Sequence, residues 1–203
     1  HNSIGYVYAF TTRHMGMKSH EQEYYLTGLA PYGNSKYGQK AKEVFSKYIH
    51  LSPDGLSFQR GIHEPLQYIA PRLHRDLHYH RFDNVAWGLQ AYFEDIMSAW
   101  VKNAVRKTGI RKVVVGGGTF MNVPLNKRIR ELPEVEGLFP MPSCGDESTS
   151  IGAAMWLDAQ WSMRAGQEPW VASLGPLYLG DEPTEPYVTE QLAETYFPDK
   201  TKF

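Results

Sequence analysis

Cysteine is nearly missing from this chain: Cys144 is the only one in 203 residues. That excludes an internal disulfide framework and a cysteine-built zinc site. No apolar run approaches the ~20 residues that a membrane span requires. No basic-then-apolar leader opens the chain. Charge of one sign is not in excess either, with 21 Lys and Arg against 22 Asp and Glu and a formal net charge of −1. Bulk charge therefore gives no reason to expect nucleic acid or a membrane surface as partner. A reducing, cytoplasmic setting is the expectation. What is present is ordinary for a folded domain, 42% hydrophobic and 21% charged residues, too apolar for a disordered chain. The length suits one large domain or half of a two-lobed one. A strand-like opening and a proline-punctuated close suggest a piece of a longer protein.

Residues 4–10 are rich in Tyr and Val and predict a strand. Residues 21–30 predict a helix stopped by Pro31 and Gly33. Residues 37–48 predict another, with Ala41, Val44, Phe45 and Tyr48 on one face. PDGL at 53–56 signals a turn between two short extended pieces. Residues 60–82, rich in His and Arg, give no clear periodicity. A long helix is expected from Asp83, as N-cap, to about residue 107, ended by Gly109. Its aromatic residues Trp87, Tyr92, Phe93 and Trp100 read as core. KVVV at 112–115 has the form of a buried parallel strand. A helix over 122–132, a strand at 138–141 and a helix over 148–164 follow. Strands alternating with helices define an α/β class.

Two loops carry chemistry. In VVVGGGTFMNVPLN, Gly116, Gly117 and Gly118 lie between a strand and a helix, where a bare backbone admits close approach of a ligand. The helix start beyond them is suited to phosphate or ribose oxygens. The pattern is neither a dinucleotide fingerprint nor a P-loop, and tight strand–helix packing explains three glycines equally well. In PMPSCGDESTSIGAAMW, Asp146 stands at a loop tip before a helix of small residues. Its carboxylate suits a hard cation such as Mg²⁺, Mn²⁺ or Fe²⁺, or it caps the helix. Cys144 beside it has no nameable triad partner and reads as a small buried hydrophobe. His74 and His78 are four apart, as metal ligands on one helical face are. No HExxH accompanies them, and a surface or packing role is favoured.

Taken together and in order, four segments resemble the NodU/CmcH-type carbamoyltransferases. SIGYVYAFTTRHMG matches at Ser3, Gly5, Tyr8, Thr12 and Gly16 a segment that the family uses as an opening strand. EYYLTGLAPYG resembles the family's EYKxMGLAPYG. GGGTFMNVPLN resembles GGVALNxxxN at Gly116, Gly117, Asn122 and Asn126. GDESTSIGAAM resembles GDxGTxxGAA at Gly145, Asp146, Thr149, Gly152, Ala153 and Ala154. Three departures stand out: Tyr25 for the family's lysine, Gly118 for valine, and Ser148 for glycine.

The resemblance implies a fold and a chemistry. The fold is one actin-like (ribonuclease H-like) lobe, a mixed sheet flanked by helices. Residues 1–165 would form the second lobe of a carbamoyl-transfer domain. Residues 166–203 would lead toward a YrdC-like domain. The chemistry is transfer of a carbamoyl group, made from carbamoyl phosphate and ATP as carbamoyl-adenylate, to a hydroxyl of a small-molecule acceptor. Gly116, Gly117, Gly118, Asn122 and Asn126 would line the nucleotide. Asp146 would hold a divalent metal, Fe(II) or similar, opposite histidines from another lobe. No residue is assigned as catalytic. The partners implied are that other lobe and the YrdC-like domain, and a homo-oligomer is compatible. Alone, the chain is expected to be inactive. Other readings are another actin-like enzyme, such as a sugar kinase or threonylcarbamoyl transferase, or a degenerate nucleotide-binding scaffold. The Tyr25 and Ser148 departures keep the scaffold reading open.

Overall fold

A computed structural model describes residues 2–169. The reading of 166–203 as a linker falls, from residue 170 onward, outside the described residues. The chain divides into two compact units after Trp156. No helix among the described residues is long and apolar enough to cross a membrane.

The first unit opens with helix α1 (Ile4–His14), where a strand was expected. Its buried residues include Ile4, Val7, Tyr8 and Thr11, a spacing of three and four that only a helix places on one face. Tertiary packing overrides the β-propensity of its Tyr and Val residues. The Thr11 and Thr12 hydroxyls donate to the carbonyls of Val7 and Tyr8 at 2.7 and 3.0 Å, so neither is a buried orphan.

Helix α2 (Glu23–Leu29) runs into a 3-10 turn at Ala30–Tyr32, as Pro31 and Gly33 predict. Helix α3 (Ser35–Ser46) starts from Asn34, whose side chain accepts from the Lys36 amide at 3.0 Å. Strands β1 (Ile49–Leu51) and β2 (Phe58–Arg60) pair antiparallel around the PDGL turn. The segment that gave no sequence signal holds a 3-10 turn at Leu66–Tyr68 and helix α4 (Ala70–Leu77). Pro65 and Pro71 interrupt its pattern, yet Leu66, Ile69, Leu73 and Leu77 are all fully buried.

Helix α5 (Phe82–Thr108) is the spine of the unit. Its N-cap is Arg81, not Asp83. Asp83 sits in the first turn, where its carboxylate accepts from the Asn84 amide at 2.8 Å and pairs with Arg81 at 3.0 Å. Gly109, at φ 72°, closes the other end, a left-handed C-cap suited to glycine. Helix α3 lies against α5 with no room for a further side chain at Gly88 or Gly38. A Cβ at Gly88 would stand 2.7 Å from the Gly38 carbonyl oxygen, and one at Gly33 2.5 Å from that of Asp83.

Strand β3 (Lys112–Val115), a 3-10 turn at Gly118–Met121, helix α6 (Val123–Arg130) and strand β4 (Gly137–Pro140) then form a β–α–β unit. The two strands are parallel, with Val115 opposite Pro140. The α/β class holds. Among the described residues, however, the strands form two separate pairs rather than one mixed sheet. Ile49 of the first pair and Val115 of the second are buried in the core, and no third strand joins the two pairs among the described residues.

Helix α7 (Ser148–Arg164) occupies the predicted span and buries none of its residues. In the second unit its last two turns carry exposed Leu157, Trp161 and Met163, and Gly166, at φ 68°, follows its end.

Candidate functional site

Parallel pairing fixes where the two chemistry-bearing loops lie. The triglycine loop leaves the carboxyl end of β3, and the loop to Asp146 leaves the carboxyl end of β4. The Met141 amide donates to the Val115 carbonyl at 2.8 Å, so the loops depart from adjacent points. Ligands of parallel α/β sheets bind outside such carboxyl ends.

The glycines are exposed, and a Cβ at Gly116, Gly117 or Gly118 would meet no atom within 4 Å. Gly117 adopts φ 91° and ψ 152°, a backbone region essentially confined to glycine. The loop is thus open on its outer side, and its shape depends on glycine at one position. Beneath it, the Phe120 amide closes the 3-10 turn on the Gly117 carbonyl at 2.9 Å, and Phe120 anchors the turn in the core.

Asn122 begins α6. Its Oδ1 accepts from the Leu125 amide at 3.0 Å and from Gln90 Nε2 at 2.9 Å. Its Nδ2 donates to Gln90 Oε1 at 2.9 Å and to Thr27 Oγ1 at 3.4 Å. Tyr8 OH donates to Gln90 Oε1 at 2.9 Å and lies 2.8 Å from Thr27 Oγ1. Burial pushes the Tyr8 hydroxyl up to about 12. One network therefore ties α1, α2 and α5 to the glycine loop, and Tyr8, Thr27 and Asn122 come from three of the four family-like segments. Gly5 of the first segment also faces the loop, since a Cβ there would lie 3.7 Å from Thr119 Oγ1.

Outward from Gln90, its Nε2 also donates to Glu94 at 2.7 Å, and Glu94 meets Arg128 at 3.5 Å. Arg128 and Lys42 both pair with Asp95. Burial works to raise the Asp95 carboxyl, but Lys42 and Arg128 outweigh it and hold it below the usual range.

The start of α6 provides fewer free amides than a bare helix N-terminus. Pro124 has none, the Leu125 amide is capped by Asn122, and the Asn126 amide donates to the Asn122 carbonyl at 3.1 Å. Asn126 donates Nδ2 to the Phe120 carbonyl at 2.7 Å, while its Oδ1 is buried and has no partner.

Asp146 is exposed, in the turn that opens α7. Its backbone carbonyl accepts from the Thr149 amide at 3.1 Å. Among the described residues no three His, Cys, Asp or Glu side chains are grouped to hold a metal ion. Asp146 can therefore be at most one ligand of a metal centre. Its neighbour Glu147 is held low by the Ser143 hydroxyl. Ser148 turns its hydroxyl back to the Gly145 carbonyl at 2.9 Å. Cys144 is buried, donates to the Met141 carbonyl, and has its thiol pushed up by burial and by Glu147, the opposite of an activated nucleophile. Tyr25, at the family's lysine position, is exposed with its ring 4.2 Å from that of Tyr24.

Gln90 and Thr27 escaped the sequence reading. The signal was there for Gln90, a polar residue among the buried positions Ala86, Leu89 and Phe93 of α5. Its partner was not legible.

An α/β chain with two ligand-type loops at the ends of a parallel pair is the class that the geometry defines. Comparison with known proteins is consistent with it: residues 1–155 match the model of the carbamoyltransferase N-terminus. The chain belongs to the carbamoyltransferase family, in the region that this model describes. It is 27% identical over 176 residues to nodulation protein NolO of Bradyrhizobium diazoefficiens, covering 83% of this chain and 30% of that one. It is 25% identical over 175 residues to nodulation protein NolNO of Sinorhizobium fredii, covering 82% of this chain and 24% of that one. An uncharacterized protein of Methanocaldococcus jannaschii is 24% identical over 208 residues, covering 99% of this chain and 32% of that one. The chain thus spans about a quarter to a third of the curated relatives that it matches.

Proposed function

We propose that this chain is the nucleotide-side lobe of an actin-like domain in an O-carbamoyltransferase, the second half of that domain. On this reading it works in the cytoplasm with a further lobe and a YrdC-like domain. The observation that carries it is the Met141-to-Val115 hydrogen bond, from which the triglycine loop and the loop to Asp146 depart at adjacent points. Family membership supplies the class of chemistry.

Carbamoyl-adenylate, formed from ATP and carbamoyl phosphate, would supply the activated carbonyl for an acceptor hydroxyl. Gly116, Gly117 and Gly118 admit the nucleotide against bare backbone. Asn122 contributes by position, since its amide is fully engaged with Gln90, Thr27 and Leu125. The buried, unpartnered Oδ1 of Asn126 is an acceptor for a ligand donor or for a water bridging to one. Asp146 offers one carboxylate to a divalent cation, with its remaining ligands supplied from outside this chain.

The intact protein tests this. Transfer of radiolabelled carbamoyl from carbamoyl phosphate should require ATP. Asp146→Ala should abolish transfer and lower bound metal while the circular dichroism stays unchanged. Gly117→Ala should weaken ATP binding, because alanine at that φ costs about 1–3 kcal/mol. Undiminished transfer and metal content in Asp146→Ala would remove that residue from the site.

A further inference from the structure

Three histidines that the proposed reaction does not use come together where two helices end. His14 is the last residue of α1, His74 lies in the last turn of α4, and His78 caps α4. His14 Nδ1 and His74 Nδ1 are 3.3 Å apart. The ring centroids of His14 and His74 are 5.2 Å apart, and those of His74 and His78 5.7 Å. The first residue is 60 positions from the second, so sequence spacing alone shows only the His74–His78 half of the group.

We propose that His14 and His74 form a binding site for a borderline first-row cation, Zn²⁺ first, with His78 as a third imidazole. Zinc–imidazole bonds of about 2.0–2.1 Å in a tetrahedron place two ligand nitrogens about 3.3–3.4 Å apart, the separation that the structure shows. Imidazole is the ligand that suits Zn²⁺, Cu²⁺ and Ni²⁺. Both helices direct their carboxyl ends here, and the partial negative charge of those ends favours a cation. His74 and His78 are exposed and His14 half-buried, so an ion has access. Three ligands do not yet surround one point. The third position is taken by water, or by His78 after rotation of its side chain. The competing explanation of the short distance is a neutral imidazole hydrogen bond with no ion.

The chelator-stripped intact protein would be titrated with Zn²⁺ by calorimetry and with Co²⁺ by visible absorption. The proposal expects a tetrahedral Co²⁺ spectrum. His14→Gln and His74→Gln should each lose it and weaken Zn²⁺ binding at least about tenfold, since even partners one shell out from a metal are worth that much. Glutamine keeps a hydrogen-bonding group, and His74 is exposed, so a purely structural pair would survive these substitutions with the melting curve unchanged. Asp146→Ala should leave this spectrum intact, which separates the site from the proposed transfer centre. Absence of Co²⁺ bands in the wild type, or unaltered Zn²⁺ affinity in both glutamine variants, would overturn the proposal.

Discussion

The side chain of Asn122 places both lone-pair positions of Oδ1 and both protons of Nδ2 on partners within the chain. Asn122→Ala removes a helix N-cap, about 1 kcal/mol, and two hydrogen bonds to the Gln90 amide, about 0.5–1.5 kcal/mol each, while Gln90 keeps Tyr8 and Glu94 as partners. A total loss of about 2–4 kcal/mol is expected from urea unfolding. In a double-mutant cycle, Gln90→Ala and Asn122→Ala should be non-additive by more than about 0.5 kcal/mol; additive losses would show that the reciprocal amide pair is not formed. The buried tyrosines make a second prediction. Burial pushes Tyr8 up to about 12, and Tyr48 and Tyr92 are also raised by burial, Tyr48 additionally by Asp76. The unfolded chain releases these protons near pH 10, before the folded one does. The Tyr8 contribution is therefore complete below pH 10 and lost as pH rises toward about 12. Alkaline melts should show falling stability across that window, and Tyr8→Phe should flatten the fall. An unchanged slope would mean that Tyr8 is not shielded in solution.

Between elements, the contact that matters most is α3 on α5. It is a backbone approach through Gly38 and Gly88, and no rotamer change relieves a clash with a carbonyl. Gly88→Ala places a methyl 2.7 Å from the Gly38 oxygen and the Lys42 nitrogen. Destabilisation by about 1–3 kcal/mol or more is expected from chemical denaturation, whereas Gly28→Ala, with nothing within 4 Å, should be tolerated. Equal effects would mean that the two helices do not cross this closely. The family-like APYG turn is thereby given a structural job, since Gly33 meets α5 at the same seam. The β–α–β unit and the Gln90 network then hold the glycine loop from two sides, the strand end above and the α5 face beside it.

At the scale of the whole molecule, the chain exposes much apolar surface for its size. Ile110 and Val114 on and before β3 and Phe139 on β4 are exposed, as are Ile151, Met155 and Trp156 on α7. A cavity of about 440 Å³ opens between α5 and β3, lined by Trp100, Val101, Val105, Val113, Val115 and Phe120. Patches of this kind mark surfaces that meet other protein, and the chain spans only a quarter to a third of its relatives. The 203 residues alone should therefore self-associate, with a weight-average mass in sedimentation that rises with concentration. Strictly monomeric behaviour at high concentration would contradict this.

The sequence by itself determined α2, α3, α5, α6, α7 and the β3 and β4 strands, because glycine, proline and apolar spacing act within a few residues. It also determined the family, through four ordered segments. It misjudged α1, whose Tyr and Val favour a strand, because helical burial of Ile4, Val7, Tyr8 and Thr11 is decided by what lies opposite. It left α4 unread for the same reason. Only the tertiary structure decided that Asn122 is joined to Gln90 and Thr27, that the α6 start is already capped, and that His14 meets His74. Hydrogen bonds between residues 32, 60 or 95 positions apart leave no trace in local pattern, because chain distance and spatial distance are independent once the core has formed.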